Sequence, residues 1–149
     1  MSQLSMSNAV SALPKLLGNL EHILRKGESN AAERGIDMDV FLNARLAPDM
    51  HPLYKQVLMV CDLAKMAPYR IAGLTPPKYD DSERTLEELY ALISKAKADV
   101  TAVTPEQLDG REEETFTIPN LYFHITTAYN ILRNNGVPLG KFDFFGGSL

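Results

Sequence analysis

Residues 49–73 read Asp49-Met50-His51-Pro52-Leu53-Tyr54-Lys55-Gln56-Val57-Leu58-Met59-Val60-Cys61-Asp62-Leu63-Ala64-Lys65-Met66-Ala67-Pro68-Tyr69-Arg70-Ile71-Ala72-Gly73. Leu53, Val57, Val60, Ala64, Ala67 and Ile71 recur at helical spacing and form one inner face. Asp49 is placed to cap this helix, leaving Pro52 in the first turn, where a missing N–H costs little, and Gly73 ends it. Leu58, Met59, Leu63, Met66 and Tyr69 point to other sides. A helix apolar nearly all round is buried from more than one direction, which requires packed neighbours.

Those neighbours are legible on both sides of the run. From Met6 to about Arg25, the residues Met6, Val10, Leu13, Leu17, Leu20 and Leu24 predict a first helix, with Pro14 either kinking it or marking its true start. His22 lies opposite that stripe and reads as solvated. Gly35 suits a helix end, and Asp37 caps a short connecting turn through Val40, Phe41 and Leu42. Thr75-Pro76-Pro77 breaks the chain. Thr85-Leu86-Glu87-Glu88 has the spacing of a capping box and opens a third helix with Leu86, Leu89, Tyr90, Ile93, Ala96 and Val100 inward. Thr104-Pro105 ends that helix or begins a new turn, and Asp109 to Glu114 reads as a solvated acidic loop. Thr117-Ile118-Pro119 opens a fourth helix ending at Gly136, with Leu121, Ile125, Ala128 and Leu132 as its core stripe. Val137 to Phe145 follows as a non-helical tail. With no strand-type alternation, the expectation is an all-α bundle forming a single domain over residues 1–149.

The 149 residues are 45% apolar and 23% charged, which suits one globular core and argues against disorder. Fifteen Lys and Arg against nineteen Asp and Glu give a net charge of -4, the wrong sign for a nucleic-acid binder. No run approaches the ~18 apolar residues of a membrane span, and no basic cluster precedes an apolar leader. A soluble, cytoplasmic protein with no nucleic-acid or membrane partner is expected.

One cysteine and three histidines leave little for covalent or metal chemistry. Cys61 reads as an inert packed thiol. There is no G-x-S-x-G, P-loop or dinucleotide-binding glycine pattern. His124 is the histidine in a position of interest. It lies about 70° from the centre of the fourth helix's stripe, beside Asn120 and Thr127. Gln56 occupies the equivalent flank of the second helix. If the two flanks face each other, Gln56, Asn120, His124 and Thr127 form a small polar pocket for a small-molecule ligand, with His124 the candidate for acid–base work. The alternative is a boundary histidine satisfied by a backbone or hydroxyl partner. A metal pair one turn apart on a helix would place its second ligand at position 128, which is Ala128, while His51 projects away from the core face of the second helix.

The stretch Leu42-Asn43-Ala44-Arg45-Leu46-Ala47-Pro48-Asp49-Met50, followed by Pro52-Leu53, Gln56-Val57 and Asp62-Leu63-Ala64-Lys65, closely resembles the DUF1993 family, a domain of unknown function. The run Pro119-Asn120-Leu121-Tyr122-Phe123-His124-Ile125-Thr126-Thr127-Ala128-Tyr129, continuing to Val137, is similar to that family's second signature. The resemblance spans nearly the whole chain. It implies a DinB-like antiparallel four-helix bundle, in a superfamily described as metalloenzymes, often dimeric, with thiol-dependent transferases or isomerases among its relatives. Its metal-binding members use a histidine on the second helix and a His-x-x-x-His pair on a later one; only His124 matches here. A divalent transition metal held by His124 is therefore the cofactor the resemblance raises. Within the first signature, Arg45 reads as a clamp on carboxylates or carbonyls, and Asn43 as structural.

The chain is also shorter than the resemblance implies before Pro119, which gives a shortened fourth helix of about seventeen residues, or ~26 Å. Leu58, Met59 and Met66 on the second helix and Phe123 on the fourth are then apolar where a lone bundle would be solvated. A homodimer through this surface is expected, with packing of the Phe142 to Phe145 tail as the alternative. The leading functional expectation is a ligand- or partner-binding module with its pocket at His124; a metal-assisted transferase or isomerase and a purely structural dimeric module are the alternatives.

Overall fold

A computed structural model describes residues 6–108 and 116–147. The helices are α1 (Met6–Ser11), α2 (Leu13–Glu33), α3 (Met38–Leu42), α4 (Leu53–Ala72), α5 (Leu86–Thr101), α6 (Pro105–Leu108), α7 (Thr117–Asn134) and α8 (Lys141–Phe144), with no strand among the described residues. The long helices α2, α4, α5 and α7 make the all-α bundle. α4 packs against both α5 and α7, and α2 closes the bundle mainly against α5.

The stripe Leu53, Val57, Val60, Ala64 and Ala67 of α4 is fully buried, and Cys61 is buried with it. Burial, followed by the charges of Glu83 and Asp62, pushes the Cys61 thiol up, so it stays protonated and unreactive. Leu58 and Leu63, read as facing away from the core, are buried too, on two different flanks of α4; Met59 and Met66 remain half-buried. The exposed apolar surface expected on α4 is therefore smaller than the sequence suggests.

Helix starts differ from expectation where proline intervenes. α4 begins at Leu53, after an extended Pro52, and Asp49 does not cap it. A proline disfavours helical geometry in the residue before it, so no helix extends back through His51 to Asp49. The preceding turn is instead tied by Arg45, whose guanidinium donates to the Met50 carbonyl, and by the Leu53 N–H on the Ala44 carbonyl at 3.0 Å. Arg45 is thus a clamp on a carbonyl. Asn43 caps the end of α3 and returns its side-chain amide to the Asp39 carbonyl at 2.8 Å. The first helix is interrupted at Ala12, with Pro14 in the opening turn of α2, and runs on to Glu33 rather than Arg25. Within that extension Gly27 stands close to α7: a Cβ there would lie 2.9 Å from Leu132 Cδ2.

Helix ends follow the expected glycines. Gly73 adopts φ 70° and the next N–H, of Leu74, returns to the Tyr69 carbonyl at 2.8 Å; Gly35 and Gly136 close α2 and α7 in the same manner. The Thr85–Glu88 capping box is present. The loop read at Asp109 to Glu114 lies outside the described residues.

The tail is not wholly irregular, because α8 forms one turn and docks on α2. Asp143 accepts from the Gly140 N–H at 2.8 Å, from Lys26 Nζ at 2.9 Å and from His22 Nε2 at 3.1 Å. His22 is consequently a half-buried partner of the tail rather than a solvated residue. Partial burial pushes the Asp143 carboxyl up, but these three donors outweigh it and bring it down to about 2. Phe144 packs edge-on against Tyr129 at 6.0 Å between ring centroids, whereas Phe142 and Phe145 stay exposed. α7 has 18 residues, one more than expected, and α5 with 16 is the shorter helix.

Candidate functional site

His124 lies two turns into α7, on the flank of the buried stripe Leu121, Ile125, Ala128 and Leu132. Gln56 opens α4 on the facing flank, and the two side chains meet: Gln56 Oε1 stands 2.7 Å from His124 Nδ1. The direction of this bond follows from its other end. The Gln56 Nε2 amide donates to the His51 carbonyl at 3.0 Å, so the oxygen of the amide faces the ring and Nδ1 must carry the proton. In the neutral ring Nε2 is then an unprotonated acceptor, and it has no partner among the described residues. Burial, and secondarily the charge of His51, push the imidazole below its ordinary value of 6.5 and keep that acceptor free at neutral pH.

His124 is only 7% exposed, yet it lines a cleft of about 180 Å³ between α4 and α7. Leu58, Met59 and Leu63 supply an apolar wall; Lys55, Asp62, Asp81 and Asn120 supply polar groups. Lys55 and Asp62 share one face of α4 at seven-residue spacing. Asp81 comes from the connection between α4 and α5, where its positive φ of 54° is one of the few left-handed conformations an aspartate tolerates readily. Lys65 holds that connection down: 3% exposed, it donates to Asp62 Oδ1 at 2.6 Å and to the Pro77 carbonyl at 2.8 Å, with Nζ 3.9 Å from the Tyr79 ring centroid. Tyr79 in turn donates to Asp99 Oδ2 at 2.7 Å on α5.

Of the four pocket residues expected, Asn120 and His124 line the cleft, and Gln56 reaches it only through its bond to His124. Thr127 does not join them. It is buried, and its hydroxyl donates to the Phe123 carbonyl at 2.7 Å, a bond within its own helix that competes with any role in the cleft. His51 is exposed and takes part through its backbone carbonyl. The 55–58–59–62 spacing on α4 was a signal for the missed wall, whereas nothing local points to Asp81.

The profile of the family described as Domain of unknown function (DUF1993) matches residues 6–118 and 114–145. The chain belongs to the DUF1993 family. The two matched stretches of this DUF1993 chain meet just before Pro119, where the sequence reads as shortened. A crystal structure described as a DinB family member from Shewanella denitrificans is similar over 92% of this chain and 89% of that one, at 40% identity and a TM-score of 0.86. The DUF1993 bundle is therefore DinB-like. No curated protein matches the chain.

The superfamily's metal can be compared with the donors at hand. Among the described residues no group of three or more His, Cys, Asp or Glu is arranged to hold a metal ion. One turn after His124 stands Ala128, fully buried and without a donor atom. This donor set does not fit a tight transition-metal site, which needs three or four ligands.

Proposed function

We propose that this DUF1993 protein binds a small molecule in the cleft between α4 and α7, with His124 as the recognition group. The observation that carries the reading is the Gln56–His124 hydrogen bond, which orients a buried ring and leaves its second nitrogen as an acceptor at the cleft. A site that spends one buried glutamine on fixing a histidine tautomer resembles a binding site more than a packing solution. A melting-shift screen of small metabolites tests it. At least one compound is expected to raise the melting temperature of the wild type, and His124→Ala and Gln56→Ala are each expected to weaken its binding tenfold or more. Binding should also weaken as the pH falls below 6.5, because the folded-state value is lowered and Nε2 is lost as an acceptor only after the ring protonates. The other groups acting on it are His51, Lys55, Asp62, Asp81 and Asn120. A screen without any His124-dependent shift would overturn the reading, and stoichiometric zinc, nickel or iron lost on His124→Ala would replace it by a metal-assisted one.

Assembly is a second reading with its own observation. Phe123 on α7 is 55% exposed and meets the His124 ring edge-on, and the half-buried Met59 on α4 lines the same cleft as His124. We propose that they carry a homodimer contact next to the cleft. Sedimentation at micromolar concentration should show a dimer that Phe123→Glu dissociates; a wild type that stays monomeric rejects it.

A further inference from the structure

We propose that the ligand of the cleft is a small primary amine bound as its ammonium ion, an inference that rests on reading the cleft as a ligand site. The argument is an inventory of lone pairs and N–H groups. His124 is more than nine-tenths buried, and its Nε2 is unprotonated and without a protein partner among the described residues. Asp62 uses only Oδ1, on Lys65, and Asp81 uses only Oδ2, on Lys55 at 3.5 Å. The Asn120 side-chain amide makes no hydrogen bond among the described residues.

Counted as lone pairs, acceptors therefore outnumber the N–H groups on the cleft wall. Nε2, one oxygen of each carboxylate and the Asn120 carbonyl await donors, while the N–H groups on offer are those of Asn120 and of Lys55, already turned to Asp81. Lys65 does not line the cleft; its ammonium is spent on Asp62 and the Pro77 carbonyl.

A carboxylate or phosphate ligand would bring further acceptors against Nε2 and the free oxygens of Asp62 and Asp81, and would have to draw Lys55 away from Asp81. An alcohol donates one hydrogen bond and leaves the other lone pairs unmet. An ammonium group donates three charge-assisted hydrogen bonds, enough for Nε2 and the free oxygen of each carboxylate, both carboxylates being already paired, with Lys65 and with Lys55. Leu58, Met59 and Leu63 would cover a short carbon chain attached to it.

Calorimetric titration of the full-length protein at pH 7.5 and low salt with 1,4-diaminobutane, glutarate and 1,4-butanediol tests the proposal. The diamine is expected to bind and the other two are not. His124→Ala and Asp81→Asn should each weaken diamine binding at least tenfold. Asp81→Asn guards against a folding artefact, because the residue is exposed and asparagine tolerates the same backbone conformation. Binding of the diamine that neither variant weakens would overturn the proposal by showing adsorption to an acidic surface. Preference for glutarate or butanediol, lost in His124→Ala, would overturn the amine and leave the cleft reading standing. Binding of none of the three also overturns the amine, and the metabolite screen then decides the cleft reading separately.

Discussion

Leu58→Ala is expected to lower the unfolding free energy by about 3 kcal/mol, within the range for removing a buried leucine side chain. Helical spacing alone places Leu58 away from the inner stripe of α4, where truncation would change stability by less than about 0.5 kcal/mol. In the structure it is 1% exposed and forms part of the cleft wall beneath His124. The loss combines the transfer free energy of the deleted carbons with the cavity they leave, and the cavity term is reduced if the cleft collapses into it. Urea unfolding of the two proteins measures the difference. A value inside the surface range would mean that this flank of α4 is not covered. Met59→Ala provides the internal comparison, because Met59 is half-buried and its replacement should cost about 1 kcal/mol.

The second large effect is expected at Lys65. Lys65→Met keeps most of the side-chain length and should still cost about 2 kcal/mol, because the ammonium's hydrogen bonds to Asp62 and the Pro77 carbonyl and its contact with the Tyr79 ring are lost together. The opposing consideration is real: a buried charge is costly to desolvate, and apolar replacements of ion pairs are often neutral or stabilising. Here two features favour loss. Asp62, 40% exposed, is left without its ammonium partner, and methionine offers the Pro77 carbonyl no donor. The connection carrying Asp81 is held to α4 through this lysine, so hydrogen exchange should accelerate across residues 77–82 in the variant. Unchanged stability together with unchanged exchange would show that the connection is anchored elsewhere, through Tyr79 on Asp99 or Arg84 over the Tyr54 ring.

Helix ends were the most legible part of the chain. Gly35, Gly73 and Gly136 and the Thr85–Glu88 box act through backbone atoms within a few residues, so their reading required no knowledge of neighbours. The start of α4 was misread for a reason that is also local: the restriction Pro52 imposes on the residue before it outweighs the capping preference of Asp49. The tail was misread for a distant one. His22 and Asp143 are separated by 121 positions, and α8 forms where Lys26 and His22 complete the hydrogen bonding of Asp143.

The same division runs through the site. Periodicity put Gln56 and His124 on flanks able to face each other, and their amide and imidazole are complementary by chemistry alone. Nothing in the linear order could assign the direction of the bond between them, which depends on the His51 carbonyl occupying the far end of the amide. Nor could it bring Asp81 across the cleft, since that position depends on Lys65 pinning a connection with no periodicity of its own. Patterns repeated along one helix are written in neighbouring residues and survive being read in a line. The protonation state of His124, the burial of Leu58 and the acceptor-rich wall of the cleft arise where separate segments meet, and only packing in three dimensions decides them.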